Sequence, residues 1–94
     1  MLKTKPSLTI TYCPKCGWLT RSSWMAQELL MTFEDELDSV TLKPHSQAGV
    51  FRIESKDICL WDRSIDKGFP DIKTLKKLVR NHIAPEKNLG HTDR

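Results

Sequence analysis

The sequence has no long hydrophobic run. No stretch approaches the roughly 18 apolar residues of a membrane-spanning helix, so no helical membrane anchor is expected. The opening Met1-Leu2-Lys3-Thr4-Lys5-Pro6 carries charge, but no apolar segment of signal-peptide length follows it. Charge of one sign is scarce as well. Fifteen Lys and Arg stand against twelve Asp and Glu, a net charge of +3. That excess is too slight to predict nucleic-acid binding, which calls for a basic stripe interleaved with stacking aromatics. Cysteine is sparse, and its count of three is odd, which argues against a secreted disulfide framework. Internal repeats and low-complexity segments are absent too. The expectation is a cytoplasmic protein in a reducing compartment, where stable structural disulfides are uncommon.

What is present fits one small domain spanning residues 1–94, with 38% hydrophobic and 29% charged residues. A chain of this length buries a modest core and leaves no room for a separate cofactor domain beside a substrate domain. No cofactor is expected. Chemistry carried by a few side chains does fit.

The pattern along the chain alternates between strand and helix periods. From Ser7 to Tyr12, Leu8, Ile10 and Tyr12 alternate with Ser7, Thr9 and Thr11, which predicts a half-buried strand. Met25, Leu29 and Phe33 then recur at helical spacing, with Ser22, Ala26 and Leu30 beside them. This predicts a helix over Leu19 to Phe33, starting near the second cysteine and ending at the anionic Glu34-Asp35-Glu36. Ser39 to Lys43, Val50 to Glu54 and Ile58 to Asp62 read as three further strands, the last two joined through Ser55-Lys56-Asp57. Pro44 to Gly49 is turn chemistry, and Arg63 to Phe69 reads as a loop. Pro70 and Asp71 open a last helix with Ile72, Leu75, Val79 and Ile83 as its apolar seam, and Pro85 ends it. Glu86 to Arg94 is a polar tail.

The predicted order is therefore β-α-β-β-β-α. Its first two strands should be parallel through a helical crossover. The polar side of the first strand predicts that both helices cover a single face of a mixed four-stranded sheet, giving a two-layer α/β sandwich. Lys73, Lys76, Lys77 and Arg80 read as one solvated side of the last helix.

The run Tyr12-Cys13-Pro14-Lys15-Cys16-Gly17 carries the candidate chemistry. A two-residue spacer brings both sulfurs within disulfide reach. Placed between a strand and a helix, the pair reads as a redox motif of thioredoxin type. Unsatisfied N–H groups at a helix N-terminus stabilise a thiolate, lowering a thiol from about 8.5 to about 7 in such motifs. Pro14 fixes the backbone between the cysteines.

Three other readings stay open. Zinc also takes Cys-x-x-Cys but normally needs four ligands. The further candidates, Cys59, His45, His82 and His91, fall in no paired spacing. The pair can alternatively be a structural, reduced one, or a redox-dependent switch for partner binding. Cys59 in Ile58-Cys59-Leu60-Trp61 reads as a packed strand residue, and Trp18 and Trp24 read as packing. Both alternating faces of that strand are apolar, so Cys59 and Trp61 are expected on the sheet side lacking a helix. An uncovered apolar patch there predicts self-association or partner docking.

Several segments together resemble the selenoprotein W-like (Rdx) family, in its bacterial Cys-x-x-Cys form. They are Ile10-Thr11-Tyr12-Cys13-Pro14-Lys15-Cys16, Trp24-Met25-Ala26-Gln27-Glu28-Leu29-Leu30, Gly49-Val50-Phe51, Trp61-Asp62-Arg63, Gly68-Phe69-Pro70 and Leu89-Gly90-His91-Thr92-Asp93. The resemblance implies a thioredoxin-like fold and a role in redox homeostasis, with protein thiols, protein disulfides or glutathione as partners. Selenium-bearing relatives carry selenocysteine at the position of Cys16, which implies Cys16 as the attacking group and Cys13 as its partner. The family has no obvious counterpart of the cis-proline that faces the thioredoxin site, and Pro44 and Pro70 are read as turn residues.

Overall fold

The computed structural model describes residues 4–90. The chain runs β1 (Ser7–Tyr12), α1 (Leu19–Thr32), β2 (Ser39–Pro44), β3 (Phe51–Ser55), β4 (Ile58–Asp62), α2 (Arg63–Asp66) and α3 (Ile72–Ile83). The four strands form one sheet in the order β2-β1-β3-β4. β1 is parallel to β2 and antiparallel to β3, and β3 is antiparallel to β4. This is the mixed four-stranded α/β arrangement that the sequence pattern predicts, and it is consistent with the thioredoxin-like fold that the family resemblance implies.

Period-2 alternation decides the two faces of this sheet. Leu8, Ile10 and Tyr12 of β1 join Phe51 and Ile53 of β3 on one face. Met25, Ala26, Leu29 and Phe33 from α1 and its end pack against them, with Leu75 and Val79 of α3. Leu8, Ile10, Leu29, Ile53 and Val79 have no exposed surface. Burying a side chain of this kind contributes about 1.5–3 kcal/mol. The rungs Thr9 to Glu54 and Thr11 to Arg52 put polar residues on the opposite face, beside Thr41 and Lys43 of β2. One face is apolar and holds both long helices, and the other is polar.

Local chemistry sets the helix ends. Asp71 caps α3, its Oδ1 accepting from the Thr74 N–H at 2.8 Å. Those hydrogen bonds, the backbone one first, hold the Asp71 carboxyl below the usual aspartate range. Asp62 caps the one-turn α2 by accepting from the Ser64 N–H and hydroxyl at 2.9 and 2.8 Å. The Ser64 side chain is the main reason its carboxyl is also lowered.

Six details differ from the sequence expectation. First, α1 starts at Leu19 as the periodicity predicts, but its N-cap is Trp18 and Cys16 stands in the preceding turn, not at the helix N-terminus that the motif reading invokes. Pro14 and Gly17 delay the helix: the Gly17 N–H donates to the Pro14 carbonyl at 3.1 Å, and Gly17 takes φ +77°. Second, Leu30 turns outward and is 38% exposed. Third, Arg63 to Phe69 is not all loop, because its first four residues form α2. Fourth, Pro44 is the last residue of β2, opposite Tyr12.

Fifth, Cys59 and Trp61 do not share a face. A bulge inserts Leu60, so Trp61 pairs with core-facing Ile53 while Cys59 pairs with Glu54 on the polar face. Trp61 packs against the core and donates its Nε1–H to the Gly68 carbonyl at 2.8 Å. Sixth, Lys76 is not on a solvated face. It is 3% exposed, and its Nζ meets Glu28 Oε1 of α1 at 3.1 Å.

Beyond α3, the Lys87 carbonyl accepts from Arg80 at 3.0 Å, Lys87 Nζ meets Glu36 Oε2 at 3.2 Å, and Leu89 packs against the core. His91, Thr92 and Asp93 lie outside the described residues. No helix among the described residues is long and apolar enough to cross a membrane.

Candidate functional site

β1 is an interior strand, and the chain leaves the sheet at its end, directly into the cysteine pair. Tyr12 is the last rung, held between Pro44 and Phe51. Its carbonyl accepts the His45 N–H at 2.8 Å. Cys13 follows beneath the surface, 1% exposed. Pro14 to Gly17 then turns back over it and carries Cys16 on the outside, exposed. The two sulfurs form a disulfide, with the Cα atoms 5.3 Å apart. That spacing is ordinary for a bridge and requires no backbone movement to close. The pair is therefore asymmetric: a disulfide with one sulfur-bearing residue in the core and the other at the surface.

An aromatic cluster stands beside the motif. Trp18, two residues after Cys16, meets Phe69 edge-on, with ring centroids 4.9 Å apart and an interplanar angle of 87°. Phe69 in turn meets Phe51 at 4.8 Å, next to the Tyr12 rung. Phe69 reaches this place because α2 reverses the chain. Lys67 takes the left-handed conformation (φ 64°), the Gly68 N–H donates to the Arg63 carbonyl, and Pro70 is buried behind.

Two arginines lie on these rings. The Arg21 guanidinium is 4.5 Å from the Phe69 centroid. That of Arg63 is 4.9 Å from Trp18 and 5.9 Å from Phe69. Such contacts contribute about 0.5–1 kcal/mol each at exposed sites, more where desolvated.

The remaining candidates are scattered. Cys59 is exposed on the polar face of β4, two strands from the motif strand, and its thiol donates to the Trp61 carbonyl at 3.3 Å. Partial burial, then the Asp62 and Glu54 carboxylates, push its thiol upward, so it stays protonated at neutral pH. His45 Nδ1 accepts the Gln47 N–H at 3.0 Å and serves its own turn. His82 is exposed on α3. Among the described residues no three His, Cys, Asp or Glu side chains converge as a metal site requires. Trp24 is 45% exposed on α1 and is not a packing residue, whereas Trp18 is half-buried in the cluster. Arg21, Arg63 and Phe69 are the neighbours that sequence reasoning does not assign to the site. The available signal is Gly68-Phe69-Pro70, a large apolar residue kept inside a turn.

Among the solved structures that match, two serve as examples of close likeness. A protein from Bordetella parapertussis is 50% identical, with a TM-score of 0.82, over 85% of this chain and 100% of that one. A selenoprotein W-related protein from Vibrio cholerae is 40% identical, with a TM-score of 0.80, over 84% of this chain and 98% of that one. No match is found among curated proteins. The family model described as the Rdx family matches residues 7–81, from the start of β1 almost to the end of α3. The chain belongs to the Rdx family.

Proposed function

We propose that this protein is a thiol–disulfide redox protein working through Cys13 and Cys16, with Cys16 as the sulfur that meets the substrate. The observation that carries the reading is the asymmetry of the pair. Exchange requires a sulfur to be approached in line with the bond it breaks, so access decides which one reacts first. Cys16 is exposed, while Cys13 is 1% exposed.

The Cys16 thiolate attacks a substrate disulfide; a Cys16–substrate S–S bond forms, the substrate S–S bond breaks, and one substrate thiolate leaves. Cys13, after losing its proton to solvent, attacks the Cys16 sulfur. The Cys13–Cys16 bond forms and the second substrate thiolate leaves. Two electrons pass to the substrate, and the two leaving thiolates take up protons from water. An external thiol reductant returns the pair to the dithiol by the reverse steps. The 5.3 Å Cα separation supports a resolving step that needs no rearrangement.

Disulfides of proteins and of small thiols such as glutathione are the proposed partners, and the reducing cytoplasm is the proposed setting. A second reading is favoured by a specific feature of α1. Leu19, Trp24 and Met31 are 49%, 45% and 63% exposed on the helix that follows the motif. These residues suit a module that binds a partner protein according to the redox state of the pair.

Turnover separates the two. Reduced protein supplied with a dithiol reductant and a disulfide substrate is expected to complete many cycles. Oxidation of one equivalent with no further turnover contradicts the oxidoreductase and favours the switch.

A further inference from the structure

Arg21 and Arg63 are held on the aromatic cluster that begins two residues after Cys16, in a way that the exchange chemistry does not require. Each guanidinium lies on an aromatic ring of the Trp18–Phe69 cluster. Among the described residues neither guanidinium donates a hydrogen bond or joins an ion pair. The two carboxylates closest in sequence to Arg63 are occupied. Asp62 accepts from the Ser64 N–H and hydroxyl, and Asp66 accepts from the Asp62 N–H at 2.9 Å. Lys15, between the two cysteines, adds an exposed cation.

Contact with a ring removes much of a guanidinium's rotamer freedom while leaving its N–H donors available. Available guanidinium donors suit a carboxylate, which they can bind through two parallel hydrogen bonds. Other cations of the molecule, such as Lys76 and Lys87, are by contrast tied to carboxylates.

We propose that Arg21 and Arg63 are specificity residues that select disulfides carrying a carboxylate near the reacting sulfur. This inference rests on the redox reading above. The guanidiniums bind the carboxylate, raise the local concentration of the anionic disulfide at Cys16, and take no part in bond making.

The test uses three small disulfides that share a two-carbon arm. They are dithiodipropionate with two carboxylates, hydroxyethyl disulfide with none, and cystamine with two ammonium groups. Rates with the reduced full-length protein are divided by those of thioglycerol, a neutral monothiol, with the same disulfides, which removes intrinsic reactivity. At low salt the normalised rate with dithiodipropionate is expected to exceed that with hydroxyethyl disulfide about 10-fold, with cystamine slowest. The preference should shrink toward unity at high salt as screening sets in.

The double variant R21Q/R63Q should lose the preference while keeping its rate with hydroxyethyl disulfide, which also shows that the variant is folded. The double variant K5Q/K56Q removes the same charge from the opposite end of the sheet and should keep the preference. Exchange with no charge preference overturns this inference alone. Equal loss in the two double variants overturns it as well, since net charge would then be the cause. Absence of exchange with all three disulfides overturns the redox reading, and the inference with it.

Discussion

The two sides of this small fold treat the same kinds of side chain differently. Behind α1, cations are tied to acids: Lys76 meets Glu28 at 3.1 Å, and Lys87 meets Glu36 at 3.2 Å. At the motif end, Arg21 and Arg63 lie on aromatic rings without an acidic partner among the described residues. The sulfurs divide in a similar way. Cys16 is exposed in a strand-to-helix turn with a bonded partner beneath it, whereas Cys59 is held as a thiol among carboxylates. Paired groups stabilise the fold and are spent in doing so. The unpaired or reversibly paired ones are available for chemistry.

Substitutions on either side should therefore separate activity from stability. The largest effect is expected at the motif. Cys16→Ser removes the accessible sulfur, and the rate with hydroxyethyl disulfide should fall to the uncatalysed background. A stopped assay for the released thiol measures this directly. Lys76→Ala should do the reverse. It strips the partner from a half-buried Glu28 and should cost about 3 kcal/mol in urea unfolding. Exchange in the folded protein should be unchanged.

A smaller effect is expected at the cap of α3. The Asp71 carboxyl is lowered in the fold by its hydrogen bonds to Thr74. A group lowered in this way contributes stability above its unfolded value of about 3.9, and the contribution is lost as pH falls through the folded value. Asp71→Asn retains an acceptor for the cap but does not titrate. The melting temperature of the wild type should exceed that of the variant at neutral pH, and the two should converge as pH falls through the folded value of the carboxyl. A gap that ignores pH contradicts the assignment. The smallest effect belongs to Cys59→Ser: exchange unchanged, and stability within about 0.5 kcal/mol by urea unfolding.

Much of this architecture is legible in the sequence because burial imposes periodicity. Leu8, Ile10 and Tyr12 alternate because one face of β1 is packed and the other is polar. Met25, Leu29 and Phe33 repeat at helical spacing because α1 lies on that packed face. Pattern fails where one residue or one distant partner decides the outcome. Leu60 is a single inserted residue, yet it sends Cys59 and Trp61 to opposite faces, against simple alternation. Lys76 sits among lysines at the spacing of a solvated helix face, and Glu28, which draws it inward, is 48 residues away in the chain.

The site is legible to a similar depth. Cys-x-x-Cys between strand and helix identifies the pair, but the Pro14–Gly17 turn that holds Cys16 outside α1 depends on a backbone reversal. The pair can therefore draw less on helix-terminal N–H groups than the sequence suggests, and access becomes the stronger argument for Cys16. Arg21 and Arg63 lie 42 residues apart and meet only because α2 folds Phe69 back onto Trp18.

The central claim, that Cys16 is the sulfur presented to substrate, is tested most directly by mixed-disulfide trapping. Cys13→Ser and Cys16→Ser, each in a Cys59→Ser background, are reduced, mixed with glutathione disulfide and followed by intact-mass spectrometry. Rapid addition of one glutathione to Cys16 is expected in the Cys13→Ser protein, with little addition to Cys13 in the Cys16→Ser protein. Equal or faster trapping on Cys13 would contradict the claim.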